Sequence, residues 1–345
     1  MGNEKPTISA FFERVEQHIL KKNGVLYESF QIGLAGKRVE IRYWDEKEVS
    51  LIRYSVLGRV LPQEKYAVPD AVIWCYTHDV NLYIPDSFRD RPLPEGAITD
   101  VYQGKDATGC IRITRSAEMA GADYIRNTYY FCRQAGTDDE DCMLGHPLLR
   151  CFYFWAEQEN LLILHSAAVG FNHKGVLISA RGGAGKSTLS VSCLLEGLDF
   201  VSDDYVLLRE TGEVNALPLY TMIGLNQDMY RILKPNMPVI KTEEKRNGKK
   251  FFDASAYSFQ EQLPIKAILF PHVTEGSEPR IAPADQGPVL VKLVHSSVSQ
   301  IGGRRDTERV RRMIARLKPL PVYEFSLSKD LKQNVEVLKN FMEGL

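Results

Sequence analysis

Nine consecutive residues, Ala180-Arg181-Gly182-Gly183-Ala184-Gly185-Lys186-Ser187-Thr188, hold the plainest chemistry in this chain. They follow an apolar run, Val176-Leu177-Ile178-Ser179, that reads as a buried strand. They precede Leu189–Leu195, which reads as a helix. Strand, glycine-rich turn, Gly-Lys-Ser and helix are the setting of a phosphate-binding loop. Gly182, Gly183 and Gly185 let backbone N–H groups turn toward a polyphosphate, and the helix N-terminus adds partial positive charge. Lys186 supplies a point charge for the outer phosphates, and the Ser187 hydroxyl can hold Mg²⁺. Ala180 stands where the G-x-x-x-x-G-K-[ST] pattern has its first glycine, the one departure from it. An ordinary glycine-rich turn is the alternative, and it leaves strand, helix and Gly-Lys-Ser-Thr together unexplained.

Asp203 follows Lys186 by seventeen residues, and Asp204 comes next. An Asp that ends a strand beside a phosphate loop is placed to reach the metal. Side chains at successive strand positions diverge, so the pair must sit where the strand ends and the chain bends. There one carboxylate can hold Mg²⁺ and the other can take a proton from an attacking hydroxyl. A plain Asp-Asp turn is the competing reading.

Around these residues the sequence predicts two regions. Residues 8–22 have helical spacing at Phe11, Phe12, Val15 and Ile19. Segments of strand character follow at 27–34, 37–43, 50–54, 71–76, 80–84, 98–102, 110–114 and 123–132, with a proline-rich loop over 85–96. Residues 1–148 are thus expected to form a mostly β accessory or substrate-recognition domain. Gln134–Glu140, with Asp138-Asp139-Glu140, reads as a solvated acidic loop. Residues 149–345 are expected to form the catalytic domain. Helix over 148–158 is followed by strands over 161–169 and 175–179, the loop and its helix, and strands over 200–204 and 205–209. Asn247-Gly248, in the charged stretch 241–250, signals an exposed hairpin or a flap over a site. Strand is expected over 265–273, a short helix at 289–293, and an amphipathic helix over 307–317. That last helix turns Val310, Met313, Ile314 and Leu317 inward and Arg309, Arg312 and Arg316 outward. Strand over 321–327 leads to a closing helix capped by Ser328.

The 345 residues suffice for two domains, and 44% hydrophobic with 25% charged content suits a soluble globular protein. A formal net charge of -1 gives no general attraction to nucleic acid or anionic membrane. The apolar runs are too short to span a membrane, and the first residues lack a secretory pattern. Met1-Gly2 does not make a myristoylation signal, because Pro6 stands where Ser or Thr is needed. The six cysteines form no CxxC pair and read as reduced thiols, which fits a cytoplasmic protein.

Taken in order, His165-Ser166-Ala167-Ala168-Val169, Gly175-Val176-Leu177-Ile178, Gly183-Ala184-Gly185-Lys186-Ser187-Thr188 and Val201-Ser202-Asp203-Asp204-Tyr205-Val206 resemble the catalytic core of the HPr serine kinase/phosphorylase family. That family shares its nucleotide-binding fold with the ATP-dependent phosphoenolpyruvate carboxykinases. The match is specific over His165 to Arg209. The whole stretch 149–345 is similar to HPr-kinase-like proteins found beside bacterial peptide-modification genes. The resemblance implies an α/β (α+β) chain, with a mostly β N-terminal domain ahead of a P-loop nucleotide-binding domain of this type. It implies that Gly182, Gly183, Ala184, Gly185, Lys186, Ser187 and Thr188 bind ATP. It implies Ser187 and Asp203 as Mg²⁺ ligands and Asp204 as base, with His165 near Asp204 as a hydrogen-bonding or charge-tuning partner. The C-terminal glycine- and arginine-rich signature of true HPr kinases is missing, and residues 1–148 do not match that family's first domain. Arg304, Arg305, Arg309 and Arg312 are candidates to clamp phosphate or an acidic substrate, or else a solvated helix face.

The sequence therefore leads to an ATP-dependent kinase acting on a serine-like hydroxyl of a peptide, carrier protein or small molecule. No nucleic acid and no membrane span are expected, and a homo-oligomer is allowed. The rivals are a regulatory or scaffold protein that binds nucleotide without turnover, and an acceptor-independent ATPase.

Overall fold

Alternating apolar side chains draw much of the chain into sheets in the computed structural model, which covers two units. The first comprises Met1–Arg53, Arg59–Glu159 and Ile301–Arg305, and the second Tyr54–Gly58, Asn160–Gln300 and Asp306–Leu345. The structure describes residues 8–24, 27–44, 46–83, 99–103, 108–113, 118–136, 145–180, 183–210, 212–242, 248–257, 259–274, 278–301 and 307–345. The expected loop over 85–96, Asp138-Asp139-Glu140, Gly182, Asn247, Arg304 and Arg305 lie outside the described residues. Among the described residues there are eight α-helices and several mixed sheets, so the fold is mixed α/β. No described helix is long and apolar enough to cross a membrane.

The first unit runs α1 (Ile8–Asn23), β1 (Glu28–Leu34), β2 (Lys37–Tyr43), α2 (Glu46–Ser55), β3 (Ala71–His78), β4 (Thr99–Gln103), β5 (Thr108–Ile113), β6 (Glu118–Asp123), β7 (Thr128–Gln134) and α3 (Leu149–Gln158). Its seven strands lie in the order β1-β2-β3-β7-β6-β5-β4. The β2–β3 and β3–β7 pairs are parallel and the rest antiparallel. Phe12, Val15 and Ile19 recur at helical spacing on α1 and are buried, with the Phe12 ring stacked on Tyr130 at 4.9 Å.

The second unit begins with β8 (Leu162–His165), β9 (Ala167–Phe171), β10 (Lys174–Ile178), α4 (Lys186–Leu195), β11 (Asp199–Ser202), β12 (Tyr205–Glu210), β13 (Val214–Pro218), β14 (Met222–Leu225) and α5 (Gln227–Leu233). It continues with β15 (Lys241–Thr242), β16 (Lys250–Asp253), β17 (Leu263–Val273), β18 (Arg280–Pro283), α6 (Gln286–Ile301), α7 (Thr307–Leu317), β19 (Val322–Leu327) and α8 (Leu331–Glu343). A nine-stranded sheet is ordered β11-β9-β10-β17-β13-β12-β8, with β19 pairing β17 and β18, and β14-β16-β15 form a small sheet. The pairs β10–β17 and β17–β19 are parallel.

Period two decides which face each side chain serves. Ala167, Val169, Val176, Ile178, Ala267 and Leu269 share a core with Leu189 and Val191 of α4 and Val335 and Leu338 of α8. Their in-between neighbours Ala168, Leu177 and Ile268 share another with Leu290 and Leu293 of α6 and Met313 and Leu317 of α7. Burial on both faces explains why these strands read as continuous apolar runs.

Several expected elements differ. Residues 50–54 are helical, within α2, because Val49 and Ile52 bury one helical face despite their β-branched content. Val80–Tyr83 is a 3-10 turn. The expected strand 123–132 is two pieces, because Asp123 accepts from the amides of Ile125 and Arg126 and Asn127 takes a positive φ of 49°, closing a turn before β7. The helix expected at 289–293 is the sixteen-residue α6. Asp330, not Ser328, caps α8, accepting from the amides of Lys332 and Gln333. Arg309 and Arg316 are buried, while the inward assignment of Ile314 fails at 37% exposure. Arg316 donates to both oxygens of Asn160 and lies 3.4 Å from Glu210, so its side of α7 is an interior polar contact instead of a solvated face.

Candidate active site

The expected strand over 161–169 is broken at Ser166, and the break makes the site. Its hydroxyl bonds the carbonyls of Ala167 and Ile178, each at 2.9 Å, so the chain leaves one neighbour and joins another. Before the break, β8 pairs with β12, which sets His165 opposite Tyr205. After it, β9 pairs with β10 and β11. Asp203 and Asp204 form the bend between β11 and β12, where the divergence of strand side chains ends. The expected neighbour relation is corrected in one respect: β11 borders β9, so one strand separates it from β10.

Past β10 the Ser179 amide donates to the Leu269 carbonyl, extending the parallel pairing to the mouth of the loop. Gly183 and Gly185 have φ of 84° and 94°, a left-handed backbone. A Cβ on Gly185 would also lie 2.9 Å from Leu327 Cδ1, so glycine is required there twice over. Lys186 opens α4, whose first amides lack intrahelical partners.

Lys186 is buried, and its Nζ donates to the Asp203 carbonyl at 2.6 Å and to Asp204 Oδ1 at 2.5 Å. The same Oδ1 lies 2.8 Å from His165 Nε2. His165 Nδ1 is 2.6 Å from Ser296 Oγ on α6. An imidazole donating from Nε2 to the carboxylate and accepting at Nδ1 from the serine satisfies all of these groups. The next residue, Ser297, accepts from the His165 amide and donates to Leu293, which anchors β8 to α6. Asp203 is almost fully buried; desolvation, then the neighbouring Asp204 charge, raises its carboxyl to about 6, partly offset by Lys186 and Lys249.

These groups line a cavity of about 800 Å³ inside the second unit. Its polar end holds His165, Lys186, Ser187, Asp203 and Asp204, while Leu225, Met229, Ile232, Val273, Leu327 and Leu331 supply apolar wall. That size and division suit a molecule with one charged end and one flat apolar end. Gly183, Gly185 and Thr188 also line it; Ala184 is half-buried beside them but is not in the wall. Thr188 instead donates to Met229 Sδ. Arg309 and Arg312 do not line the cavity. Ser296, Lys249 and Asn226 are site residues that sequence reasoning passed over; a serine inside an apolar helix and a lysine in a charged stretch carry no local signal. Among the described residues no cluster of three or more His, Cys, Asp or Glu forms a ready-made metal cage. Cys75, Cys132, Cys151 and Cys193 are buried and unbridged.

A comparison of the chain with protein-family models finds no match, and neither does a comparison with curated proteins.

Proposed function

We propose that the second unit is a P-loop phosphotransferase domain that moves the terminal phosphoryl group of Mg-ATP to a serine-like hydroxyl. The observation that carries this reading is the convergence of Lys186 and His165 on one carboxylate oxygen of Asp204, at the polar end of a nucleotide-sized cavity. A glycine-rich turn alone would not assemble a base, an orienting imidazole and a buried cation.

Mg²⁺ fits the residues present. Asp203 is a buried carboxyl whose charged form is disfavoured by its surroundings, which a cation would relieve, and Ser187 stands at the start of α4. An ion of this kind usually takes one or two protein ligands together with substrate phosphates, in keeping with the lack of a closed cage. When bound, Mg²⁺ would neutralise charge developing on the transferred phosphoryl group. The chain's own residues do the rest. Asp204 takes the proton from the acceptor hydroxyl as that oxygen bonds to phosphorus and the bond to the ADP oxygen breaks. His165 holds Asp204 in one orientation, and Ser296 holds His165. Lys186 pairs with Asp204 and presents its charge to the phosphates.

Acceptor recognition by the first unit is part of the same proposal. The test is Mg-ATP calorimetry combined with phosphoryl-transfer assays on peptide, carrier and small hydroxyl acceptors. Lys186→Ala should lower nucleotide affinity or transfer by roughly 10²-fold or more. Unchanged affinity together with unchanged transfer would overturn the assignment. Binding without transfer to any acceptor would favour a regulatory role, and acceptor-independent phosphate release an ATPase.

A further inference from the structure

Lys249 lies just before β16, in the small sheet β14-β16-β15, yet it lines the same cavity as Lys186 and Asp203. Its route there crosses Gly224 of β14. A Cβ at Gly224 would lie 2.6 Å from Lys249 Cε and 3.0 Å from its Nζ, so the lysine tail runs against bare backbone. Its ammonium sits 5.5 Å from the Phe251 ring centroid. The two lysines differ in one respect that matters. Lys186 is committed to Asp204 and to the Asp203 carbonyl. Lys249 has no ion-pair partner among the described residues. Lys249 lines that cavity together with Lys186, Asp203 and Asp204. A half-buried cation with no salt-bridge partner among the described residues, lining a cavity, is a place for an anion.

We propose that Lys249 is a second cation of the phosphate site, that it binds the outermost phosphate of the nucleoside triphosphate, and that Gly224 keeps its path open. This rests on the phosphotransferase reading. The outermost phosphate is the group that must stand next to Asp204 for transfer, and the lysine of the loop is already held there by that carboxylate. A second ammonium lets Lys186 serve phosphate and base at once. It also makes the site discriminate triphosphate from diphosphate, because the outermost phosphate is the group the two do not share.

The experiment is calorimetry of the full chain with a non-hydrolysable Mg-ATP analogue and with Mg-ADP. Lys249→Ala should weaken the triphosphate about 10- to 100-fold and the diphosphate only about 3-fold or less, the scale of one charge-assisted contact. Lys249→Arg should keep most of the preference. Gly224→Ala should reproduce the selective loss without touching any charge, because its methyl displaces the lysine tail; the same methyl also lies 2.8 Å from Phe251 Cε1, so the melting temperature is measured beside it and Lys249→Ala decides if the fold is disturbed. Equal losses for both nucleotides, or no loss in either, would overturn the proposal, as would a rise in acceptor KM with triphosphate affinity unchanged. Should those results come with a strong Lys186→Ala defect, the phosphotransferase reading stands and only the role of Lys249 falls. Should the wild-type protein bind neither nucleotide, both fall.

Discussion

Asp203 and Asp204 are adjacent in sequence and differ in surroundings, which should make their variants fail differently. Asp204 is partly exposed and bonded to Lys186 and His165. On the proposed mechanism Asp204→Asn should leave Mg-nucleotide binding nearly intact and slow transfer by roughly 10²- to 10⁴-fold, the worth of a positioned base. Asp203→Asn should instead raise the Mg²⁺ concentration needed. Initial rates against free Mg²⁺ separate the two, and identical behaviour would rule out the division of labour. Asp203 also carries a pH signature. Its carboxyl is raised from 3.8 to about 6, so in the metal-free protein the folded state holds the proton more tightly than the unfolded state. The resulting stability is present in full below about 4 and is lost as pH rises through about 6. At pH 8 the ionised group then destabilises the metal-free fold. Asp203→Asn should therefore raise the metal-free melting temperature at pH 8, with the gain shrinking toward pH 4. Melting curves that stay parallel across this range would contradict it.

At the scale of elements, the phosphate loop and α6 are the parts that hold the site. Gly185→Ala places a methyl in a left-handed backbone and against Leu327. It should cost about 1–3 kcal/mol in denaturant unfolding and weaken nucleotide binding, because the start of α4 must shift. Intact affinity in this variant would mean the loop does not hold phosphate. α6 contributes differently. It reaches the site through Ser296, whose hydroxyl fixes the ring of His165. Ser296→Ala should leave nucleotide affinity unchanged and shift the pH profile of transfer, with Ser296→Thr restoring much of it. A change in melting temperature with an unaltered pH profile would make this serine structural only.

For the whole molecule, every residue of the candidate site belongs to the second unit. A truncated chain starting at Asn160 should keep Mg-nucleotide binding and lose acceptor turnover. It should also be less stable than the intact chain, because the second unit includes Tyr54–Gly58. The Ser55 carbonyl accepts from the Thr221 amide, and the Gly58 amide donates to Thr221 Oγ1. Folded protein that fails to bind nucleotide, or that phosphorylates acceptor at full rate, would refute one half or the other.

The sequence alone determined what depends on local order. A helix had to follow the glycine-rich turn, because strand composition, glycines and helix formers sit side by side in the chain; that it starts at Lys186 and not at Leu189 came from the structure. The two aspartates had to lie at a bend, because strand geometry sends adjacent side chains apart. Most strands of the second unit, and the helices α1, α3, α4, α7 and α8, were legible from apolar spacing. What only the tertiary structure decided depends on pairing between distant segments. The break at Ser166 shows as a hydroxyl bonded to Ile178, twelve residues on. His165 meets Asp204 across thirty-nine residues and Ser296 across 131, separations that no periodicity records. Lys249 looked like one charge in a polar stretch, and only the pairing of β14 with β16 lays its tail across Gly224 beside the cavity. Burial reversed the reading of Arg309 and Arg316, because an amphipathic helix shows which residues share a face but not what covers it.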